Sequence, residues 1–384
     1  MKSNFENDVL TIYLEGNVDT TNADQVGDEI AQIRSEHPDC PLVLDAEELK
    51  YISSAGLRQI LKLKKTNKDF KIINVTSEIY DIFDMTGFSE MMDISKAYRK
   101  MSVDGCEKIG EGSNGIVYRL NPDTIIKVYK NSDALDDIKR ERELARTALV
   151  MGVNTAIPYD VVKVGDKYGS VFELLSAKSL TKWINADREN IDEYIKVFVD
   201  MLKEIHSTPV KGGLLPSEKD VVLKWVTFLK DYLDEQHYNK LYSLVDAVEE
   251  SNFMLHGDYH TNNVHYDKKE AILIDMDTIC VGDPIFEFGS IYNAYQGYGI
   301  TDVKRIEDFL KIGYDDACYI WKKTVQLYFG VEDITDVENK CKVIGLTRVL
   351  RRTIKREPDN AELLEKSKTM LLEALDAVDT LEWR

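Results

Sequence analysis

The feature that most constrains the fold is a polar segment about two thirds of the way along the chain. It begins with His256-Gly-Asp258, reaches Asn263 five residues later, and is followed after twelve more residues by Asp275, at the end of the apolar run that starts at Ile272. An H-x-D-x-x-x-x-N spacing places a carboxylate where it can accept the proton of an attacking hydroxyl, and an amide oxygen where it can hold a metal ion. The segment predicts Asp258 as a catalytic base, with Asn263 and Asp275 as ligands of Mg²⁺.

A zinc site is the alternative for this segment, because three of the six histidines of the chain, His256, His260 and His265, fall within ten residues. No cysteine is near, and the histidines lack the H-x-x-x-H spacing of a helical zinc site. Zinc also leaves the strand carboxylate unexplained. Magnesium is therefore favoured, and we expect His256 to fix the loop through a backbone hydrogen bond.

A glycine-rich motif precedes this segment and lies between two predicted strands. It comprises Gly110, Gly112, Ser113, Asn114, Gly115 and Val117. In a dinucleotide-binding fold the third glycine opens a helix, whereas here the chain continues with β-branched and aromatic residues. The motif predicts a hairpin that covers nucleotide phosphates, and a glycine-rich turn without a ligand is an equally common use of such residues.

A lysine inside an apolar strand is the third element. Lys127 follows Thr124-Ile-Ile, and a predicted helix from Ala134 to Met151 carries Glu141 and Glu143. A lysine that clamps phosphates and is held by a helix glutamate is the arrangement of kinase-type sites. The distance from Glu143 to the glycine at the helix end favours Glu143 as the partner, and Glu141 stays open. A solvent-exposed lysine is the simpler alternative.

The chain divides into regions with different patterns. Residues 1–100 alternate strand-like and helix-like segments, which predicts a small α/β domain. A new pattern begins after residue 100, so we expect a second domain over 101–384. Its first part, 101–176, is rich in predicted strands, and the rest, 177–384, is mostly helical, which predicts an α+β domain of two lobes.

Charge and composition exclude several classes of protein. The net charge of −19 disfavours binding to nucleic acid. The five cysteines are scattered without a CxxC pair, which argues against a disulfide framework. No run of about 18 apolar residues occurs, so no membrane span is expected. A cytoplasmic protein is the expectation.

Taken in order, these motifs over residues 107–384 resemble the aminoglycoside phosphotransferase and choline kinase-like branch of the protein-kinase-like fold. The resemblance implies that Gly110 to Val117 cover the phosphates of ATP, that Lys127 contacts the α and β phosphates, and that Glu143 orients the lysine. Backbone groups near Glu173 to Leu175 would hold the adenine. ATP and Mg²⁺ would be the cofactors, and the hydroxyl of a small molecule the acceptor.

Two departures separate the chain from protein kinases regulated by an activation loop. Gly257 stands where those enzymes carry an arginine, and only seven residues lie between Asp275 and Asp283. The resemblance also assigns Asp283 to a structural aspartate segment, whose usual second acidic residue is replaced here by Glu287.

Residues 1–100 resemble a STAS domain of the anti-sigma factor antagonist type, through Leu42-Val-Leu-Asp45 and the segment from Tyr51 to Leu57. In that family a serine just before a Gly-Leu pair is phosphorylated, and here the position holds Ala55. The switch is thus expected to be absent, and Ser53 or Ser54 to cap the next helix. The domain implies a protein partner. A nucleotide-sensing regulator and a protein-directed kinase remain alternatives to a small-molecule kinase.

Two side-chain clusters each allow two interpretations. Tyr292, Tyr295 and Tyr298 could wall a substrate site, although helical spacing favours core packing. The densest basic cluster could bind an anionic partner, although a solvated helix face is the commoner outcome. That cluster comprises Arg348, Arg351, Arg352, Lys355 and Arg356.

Overall fold

The computed structural model describes residues 1–112, 114–132 and 134–383, and its contacts divide the chain into two units, Met1–Ser102 and Val103–Arg384. None of the helices within these described ranges is long and apolar enough to cross a lipid bilayer.

The first unit is built on a twisted sheet with crossover helices. Its strands are β1 (Lys2–Glu6), β2 (Val9–Val18), β3 (Leu42–Ile52), β4 (Phe70–Val75) and β5 (Asp93–Lys96), which lie in that order across the sheet. β1 is antiparallel to β2, and the later pairs are parallel. Parallel neighbours need a crossover connection, which is supplied by α1 (Ala23–Glu36), α2 (Ser54–Thr66), α3 (Ser77–Met85) and α4 (Phe88–Met91). The predicted α/β fold is confirmed. A short strand, β6 (Arg99–Lys100), ends the unit.

Helix α2 starts at the position where a regulatory serine was considered. Ser53 is its N-cap, and the Ser53 side chain accepts a hydrogen bond from the Gly56 N–H. A Cβ on Gly56 would lie 2.7 Å from Ile52 Cγ1 and 2.9 Å from Val18 Cγ1, so only glycine fits against the sheet here. The prediction of a capping role is confirmed for Ser53 rather than Ser54.

The second unit begins with an antiparallel sheet. Its strands are β7 (Glu107–Glu111), β8 (Gly115–Asn121), β9 (Thr124–Tyr129), β10 (Pro158–Val164) and β11 (Lys167–Glu173). Across the sheet β7, β8, β9, β11 and β10 are neighbours in that order. Helix α5 (Leu135–Val150) joins β9 to β10 and packs its apolar side on the sheet. These elements form the predicted β-rich lobe.

The rest of the second unit is mainly helical. Its helices are α6 (Leu180–Ala186), α7 (Ile191–His206), α8 (Glu218–Phe228), α9 (Glu235–Ala247), α10 (Pro284–Tyr295), α11 (Lys304–Leu310), α12 (Tyr314–Phe329), α13 (Thr335–Arg356) and α14 (Ala361–Asp376). Short strands interrupt them, namely β12 (Lys178–Ser179), β13 (Met254–Leu255), β14 (Val264–Tyr266), β15 (Ala271–Leu273) and β16 (Cys280–Val281). The predicted two-lobe α+β architecture is confirmed.

Helices α10 and α13 cross at a pair of glycines, and this crossing positions the site described below. A Cβ on Gly289 would lie 2.5 Å from Ile344 Cγ2, and one on Gly345 would lie 2.8 Å from the Gly289 carbonyl oxygen. Both backbones therefore approach more closely than side chains would allow.

We expect Gly345→Ala to destabilise the second unit by about 1–3 kcal/mol, because the added methyl group overpacks the crossing. All four tryptophans lie in this unit, so urea unfolding followed by tryptophan fluorescence reports its stability. The matched control is Gly212→Ala, where a Cβ meets no atom within 4 Å. Equal urea midpoints for the two variants would contradict the proposed role of the crossing.

Candidate active site

The loop that carries Asp258 is anchored by hydrogen bonds to a buried carboxylate. Glu287 on α10 is 1% exposed and accepts hydrogen bonds from the backbone N–H of His256, at 2.5 Å, and of Gly257, at 3.1 Å. Burial raises the pKa of Glu287, but the contact with His206 and the Gly257 N–H outweigh it, so the net pKa lies below the ordinary value. Glu287 thus serves as an ionised anchor of the loop.

The turn at the start of the loop depends on a glycine and a histidine. Gly257 has φ +82°, and a Cβ there would lie 2.4 Å from the Thr278 carbonyl oxygen. The His256 ring is fully buried, its Nε2 is 3.1 Å from the Ile274 carbonyl oxygen, and its Nδ1 accepts the Asp258 N–H at 3.3 Å. The expected structural role of His256 is confirmed. Position 257 requires glycine, because of its positive φ and the close approach of the Thr278 carbonyl.

Asp258 lies at the open end of this turn, with 40% of its side chain exposed. The Nε2 of buried His260 is 3.6 Å from Asp258 Oδ2. Burial raises the pKa of Asp258, but His260 and the charge of Arg348 lower it more, so the pKa lies below its usual range. Asp258 is therefore ionised at neutral pH and can accept a hydrogen bond from a hydroxyl.

The two predicted metal ligands lie in the segments that follow. The Asn263 side-chain N–H donates to the Asp258 carbonyl oxygen at 3.0 Å, which leaves its amide oxygen available to a cation. Asp275 adopts a left-handed backbone, φ 62° and ψ 59°, and its side chain is 43% exposed. A left-handed conformation costs a non-glycine residue about 1–3 kcal/mol. Hard oxygen donors of this kind fit Mg²⁺.

Lys127 of β9 joins the two lobes of the second unit. Its Nζ is 2.8 Å from Glu141 Oε1 and 3.4 Å from Asp275 Oδ1. Tyr129 donates a short hydrogen bond to the other Glu141 oxygen. Burial lowers the pKa of Lys127, but the Asp275 and Glu141 carboxylates raise it more, and the net pKa is above the ordinary value. The lysine remains a cation.

The preference for Glu143 as the partner of Lys127 is wrong. Glu143 is exposed on α5, whereas Glu141 is 7% exposed. Residues two apart on a helix point in different directions. Glu141 belongs to the buried face of α5 with Ile138 and Leu144, and that apolar periodicity could have identified it from the sequence.

The glycine-rich motif forms the predicted hairpin between β7 and β8. The Gly112 N–H bonds the Gly115 carbonyl oxygen at 2.9 Å, and a Cβ on Gly115 would lie 2.7 Å from the Val128 carbonyl oxygen. Ser113 lies outside the described residues. A cavity of about 490 Å³ is lined by the hairpin, including Gly110, Asn114 and Val117, and by Lys127 and Asp275.

The segment expected to hold a purine ring lines the same cavity, through Glu173, Leu174 and Leu175. The Glu173 N–H bonds the Ile157 carbonyl oxygen at 3.1 Å, and the Leu174 N–H bonds the Asp123 carbonyl oxygen at 2.8 Å. These contacts occupy the Glu173 and Leu174 donors, and Leu175 follows them at the wall of the cavity.

The zinc alternative gains no support. Within the described ranges no group of three or more His, Cys, Asp or Glu side chains is arranged to hold a metal ion. His256 contacts the loop backbone, and His265 Nδ1 is 3.1 Å from the Ala177 carbonyl oxygen.

Arg348, one member of the basic cluster, lies beside the loop that carries Asp258. Arg348 was expected on a solvated helix face, yet its Nη1 donates to Ser290 Oγ at 2.7 Å, and Ser290 donates to the Gly257 carbonyl oxygen at 3.1 Å. Burial lowers the pKa of Arg348, but Tyr298 and Asp258 are among the groups that raise it. The buried residues of α13 around Arg348, Thr347 and Val349 among them, were the available signal.

We expect Glu141→Gln to lower the pKa of Lys127, because it removes one of the two carboxylates that favour the charged amine. The pKa can be followed by NMR of ¹³Cε-labelled lysine during a pH titration. The matched control is Glu143→Gln, which should leave the Lys127 resonance and its titration as in the wild type. The reverse pattern would restore Glu143 as the partner.

The pH dependence of stability tests the environment of a second acidic residue, Glu218. Burial raises the pKa of Glu218 at the start of α8 from 4.5 to about 7. Between these values the folded state binds a proton that the unfolded state has lost, so this contribution to stability falls as pH rises from 4.5 to 7. We expect the free energy of unfolding of Glu218→Gln to rise by about 2–3 kcal/mol relative to that of the wild type between pH 4.5 and pH 8.

The measurement is urea unfolding of wild type and Glu218→Gln at both pH values, followed by tryptophan fluorescence. Glu235→Gln, a change at an exposed first-turn residue of α9, is the control and should track the wild type. A Glu218→Gln variant with the wild-type pH dependence would refute the assignment of a raised pKa.

Comparison with known proteins shows which domain family the first unit matches. The STAS domain family matches residues 1–101. A Bordetella bronchiseptica protein named among the anti-sigma factor antagonists, BtrV, is 28% identical over 93 residues, which cover 23% of this chain and 79% of BtrV. The first unit is a STAS domain.

Solved structures similar to the chain are aminoglycoside phosphotransferases. A thermostable mutant of APH(4)-Ia in its apo form has a TM-score of 0.49 at 12% identity, over 71% of this chain and 94% of that one. APH(2")-IIa in complex with gentamicin has a TM-score of 0.45 at 17% identity, over 80% and 99% of the two chains.

The phosphotransferase enzyme family matches residues 105–317, which is more than half of the chain and includes the hairpin, the lysine, the loop of Asp258 and the strand before Asp275. The chain therefore belongs to the phosphotransferase enzyme family, and it carries a STAS domain in front of the phosphotransferase domain.

Proposed function

We propose that the second unit transfers the γ-phosphoryl group of ATP to the hydroxyl group of a small molecule. The observation that carries the proposal is the position of Lys127, which contacts Glu141 of the β-rich lobe and Asp275 of the helical lobe at one wall of the cavity. A cation fixed between two carboxylates, under a glycine-rich hairpin, suits the phosphates of a nucleotide.

Each side chain has a distinct task in this proposal. Lys127 binds the α and β phosphates, and Glu141 with Tyr129 holds the lysine in place. The hairpin covers the phosphates, and the Leu175 backbone binds the adenine. Asn263 and Asp275 would hold Mg²⁺, which supplies charge neutralisation for the phosphate oxygens.

Asp258 accepts the proton of the acceptor hydroxyl. As the acceptor oxygen forms its bond to the γ-phosphorus, the bond from that phosphorus to the β–γ bridging oxygen breaks. ADP leaves with the electron pair of the broken bond, and the acceptor becomes a phosphate ester. Since the pKa of Asp258 lies below its usual range, the carboxylate stays ionised and both orients the hydroxyl and accepts its proton, while positioning and charge lower the barrier.

The STAS domain supports a second role for the chain, a contact with a protein partner. Its similarity to BtrV supports this role. Ala55 carries no hydroxyl, so phosphorylation at that position cannot control the contact. We infer that the partner binds independently of a serine switch of this kind.

We expect Asp258→Asn to lower kcat for phosphoryl transfer by about 10²–10⁴-fold, because the amide cannot accept the hydroxyl proton, while Mg-ATP still binds. The measurement combines an ATP-consumption screen of hydroxyl compounds with calorimetric titration of the nucleotide. Asp359→Asn, at an exposed loop position, is the matched control and should behave as the wild type.

Three results would redirect the proposal. Failure of the wild type to bind Mg-ATP, or full turnover by Asp258→Asn, would refute it. Tight ATP binding without turnover on any acceptor would favour a nucleotide-sensing regulator. Labelling of a co-purifying polypeptide, with no small molecule consumed, would favour a protein-directed kinase.

A further inference from the structure

One face of α13 carries a row of cations, which begins with partly buried Arg348 beside the Asp258 loop and continues to exposed Lys355. Arg348, Arg351, Arg352 and Lys355 recur at positions i, i+3, i+4 and i+7, which lie on one helix face. In the part of the chain that the structure describes, none of these four forms an ion pair with a carboxylate, although ion pairs occur elsewhere on the same helix and beside it. The row is thus a positive region without a direct ion pair among the described residues, in a chain of net charge −19.

Aromatic rings take the place of carboxylates around this row. The Arg348 and Arg351 guanidinium groups lie 5.7 and 5.8 Å from the Trp225 ring centroid. The Lys355 Nζ lies 4.8 Å from the Phe228 centroid. Both rings belong to α8. Cation–π contacts hold cations in place without neutralising them, so their charge stays available to a ligand.

A second aromatic path runs from the row to Asp258. The Arg352 guanidinium is 5.0 Å from the Tyr298 centroid, and Tyr298 contacts Phe309 edge-to-face at 6.3 Å. Phe309 in turn contacts the His260 ring at 4.8 Å, and His260 is the neighbour of Asp258. Together with the link from Arg348 through Ser290 to Gly257, this path connects the row to the loop that carries Asp258.

Three carboxylates lie close enough to raise the pKa of Arg348, namely Asp258, Glu218 and Glu287, so the charge of Arg348 is partly offset. Glu287 is occupied by the loop backbone. Glu218 has a pKa raised to about 7 by burial, so a large fraction of it is neutral near physiological pH. Burial lowers the pKa of Arg351, and repulsion from Arg348 and Arg356 lowers it further. A bound anion would relieve this repulsion.

We propose that the cationic row on α13 binds an anionic group of the acceptor, a phosphate or a carboxylate, while the hydroxyl group of the same acceptor contacts Asp258. The inference rests on the proposed function and narrows its substrate class. Guanidinium groups donate paired hydrogen bonds that match phosphate and carboxylate oxygens. A polycationic acceptor of the aminoglycoside type is repelled by the same row, so specificity arises from charge as well as from contact.

The test uses the full chain and sets of acceptors with the same number of carbon atoms, with and without an anionic group. Glycerol is compared with glycerol 3-phosphate and glycerate, and glucose with glucose 6-phosphate and gluconate, by ATP consumption. We expect at least one anionic compound to exceed its neutral parent tenfold or more in kcat/KM. The phosphate and carboxylate members distinguish the two kinds of anion.

Single substitutions then test whether the cationic row accounts for the preference for anionic acceptors. Arg351→Gln and Arg352→Gln are expected to raise KM for the anionic acceptor tenfold or more, with a much smaller change in kcat. Lys322→Gln, at an exposed lysine on α12 outside the row, is the matched control and should keep the wild-type KM.

A binding measurement keeps the proposal testable if no panel member turns over. With the nucleotide site filled by Mg-AMP-PNP, inorganic phosphate and acetate are titrated calorimetrically into the wild type and into the Arg351→Gln, Arg352→Gln double variant. Binding of either anion that weakens tenfold or more in the double variant supports the proposal.

Other outcomes overturn it. Preference for neutral or cationic acceptors, phosphorylation of a polypeptide only, or anion binding that is absent or equal in both proteins refutes the anionic subsite. Failure of AMP-PNP to bind, by contrast, refutes the proposed function itself, so the two failures are distinguishable.

Discussion

The loop that carries Asp258 depends on one buried carboxylate. Glu287 accepts the N–H groups of His256 and Gly257 from within a fully enclosed site. An isolated charge in such surroundings would cost several kcal/mol, and the backbone donors offset that cost only while the loop keeps its turn. The turn, in its left-handed conformation at Gly257, then directs Asp258 outward. The position of the Asp258 carboxylate thus depends on the hydrogen bonds that a second carboxylate, Glu287, accepts from the loop backbone.

The motifs with fixed spacing were predictable from the sequence because they report local chain geometry. The Asp258 loop, the glycine-rich hairpin and Lys127 were predicted from residues close together in the chain. The boundary between the domains followed from the change in pattern after residue 100, and the two lobes from the change between the strand-rich segment 101–176 and the helical segment 177–384. The α/β rhythm of the first unit was likewise clear, since strand and helix periods differ.

Pairing across the fold was harder to predict, since it depends on which face of a helix is buried. The choice between Glu141 and Glu143 rested on spacing to a glycine, whereas the apolar stripe of α5 was the better guide. Arg348 was missed for a related reason, because a basic cluster on a long helix normally faces solvent. Its neighbour Ser290 lies 58 residues earlier, and only the folded chain brings the two together.

The glycine crossing of α10 and α13 has a consequence for acceptor choice. Helix α10 carries Glu287 and Ser290, and α13 carries the cationic row, so main-chain contact at Gly289 and Gly345 sets the separation between row and loop. The two helix backbones are therefore held at a fixed separation at this point. If one end of an acceptor is held on α13, its length then influences whether a hydroxyl reaches Asp258.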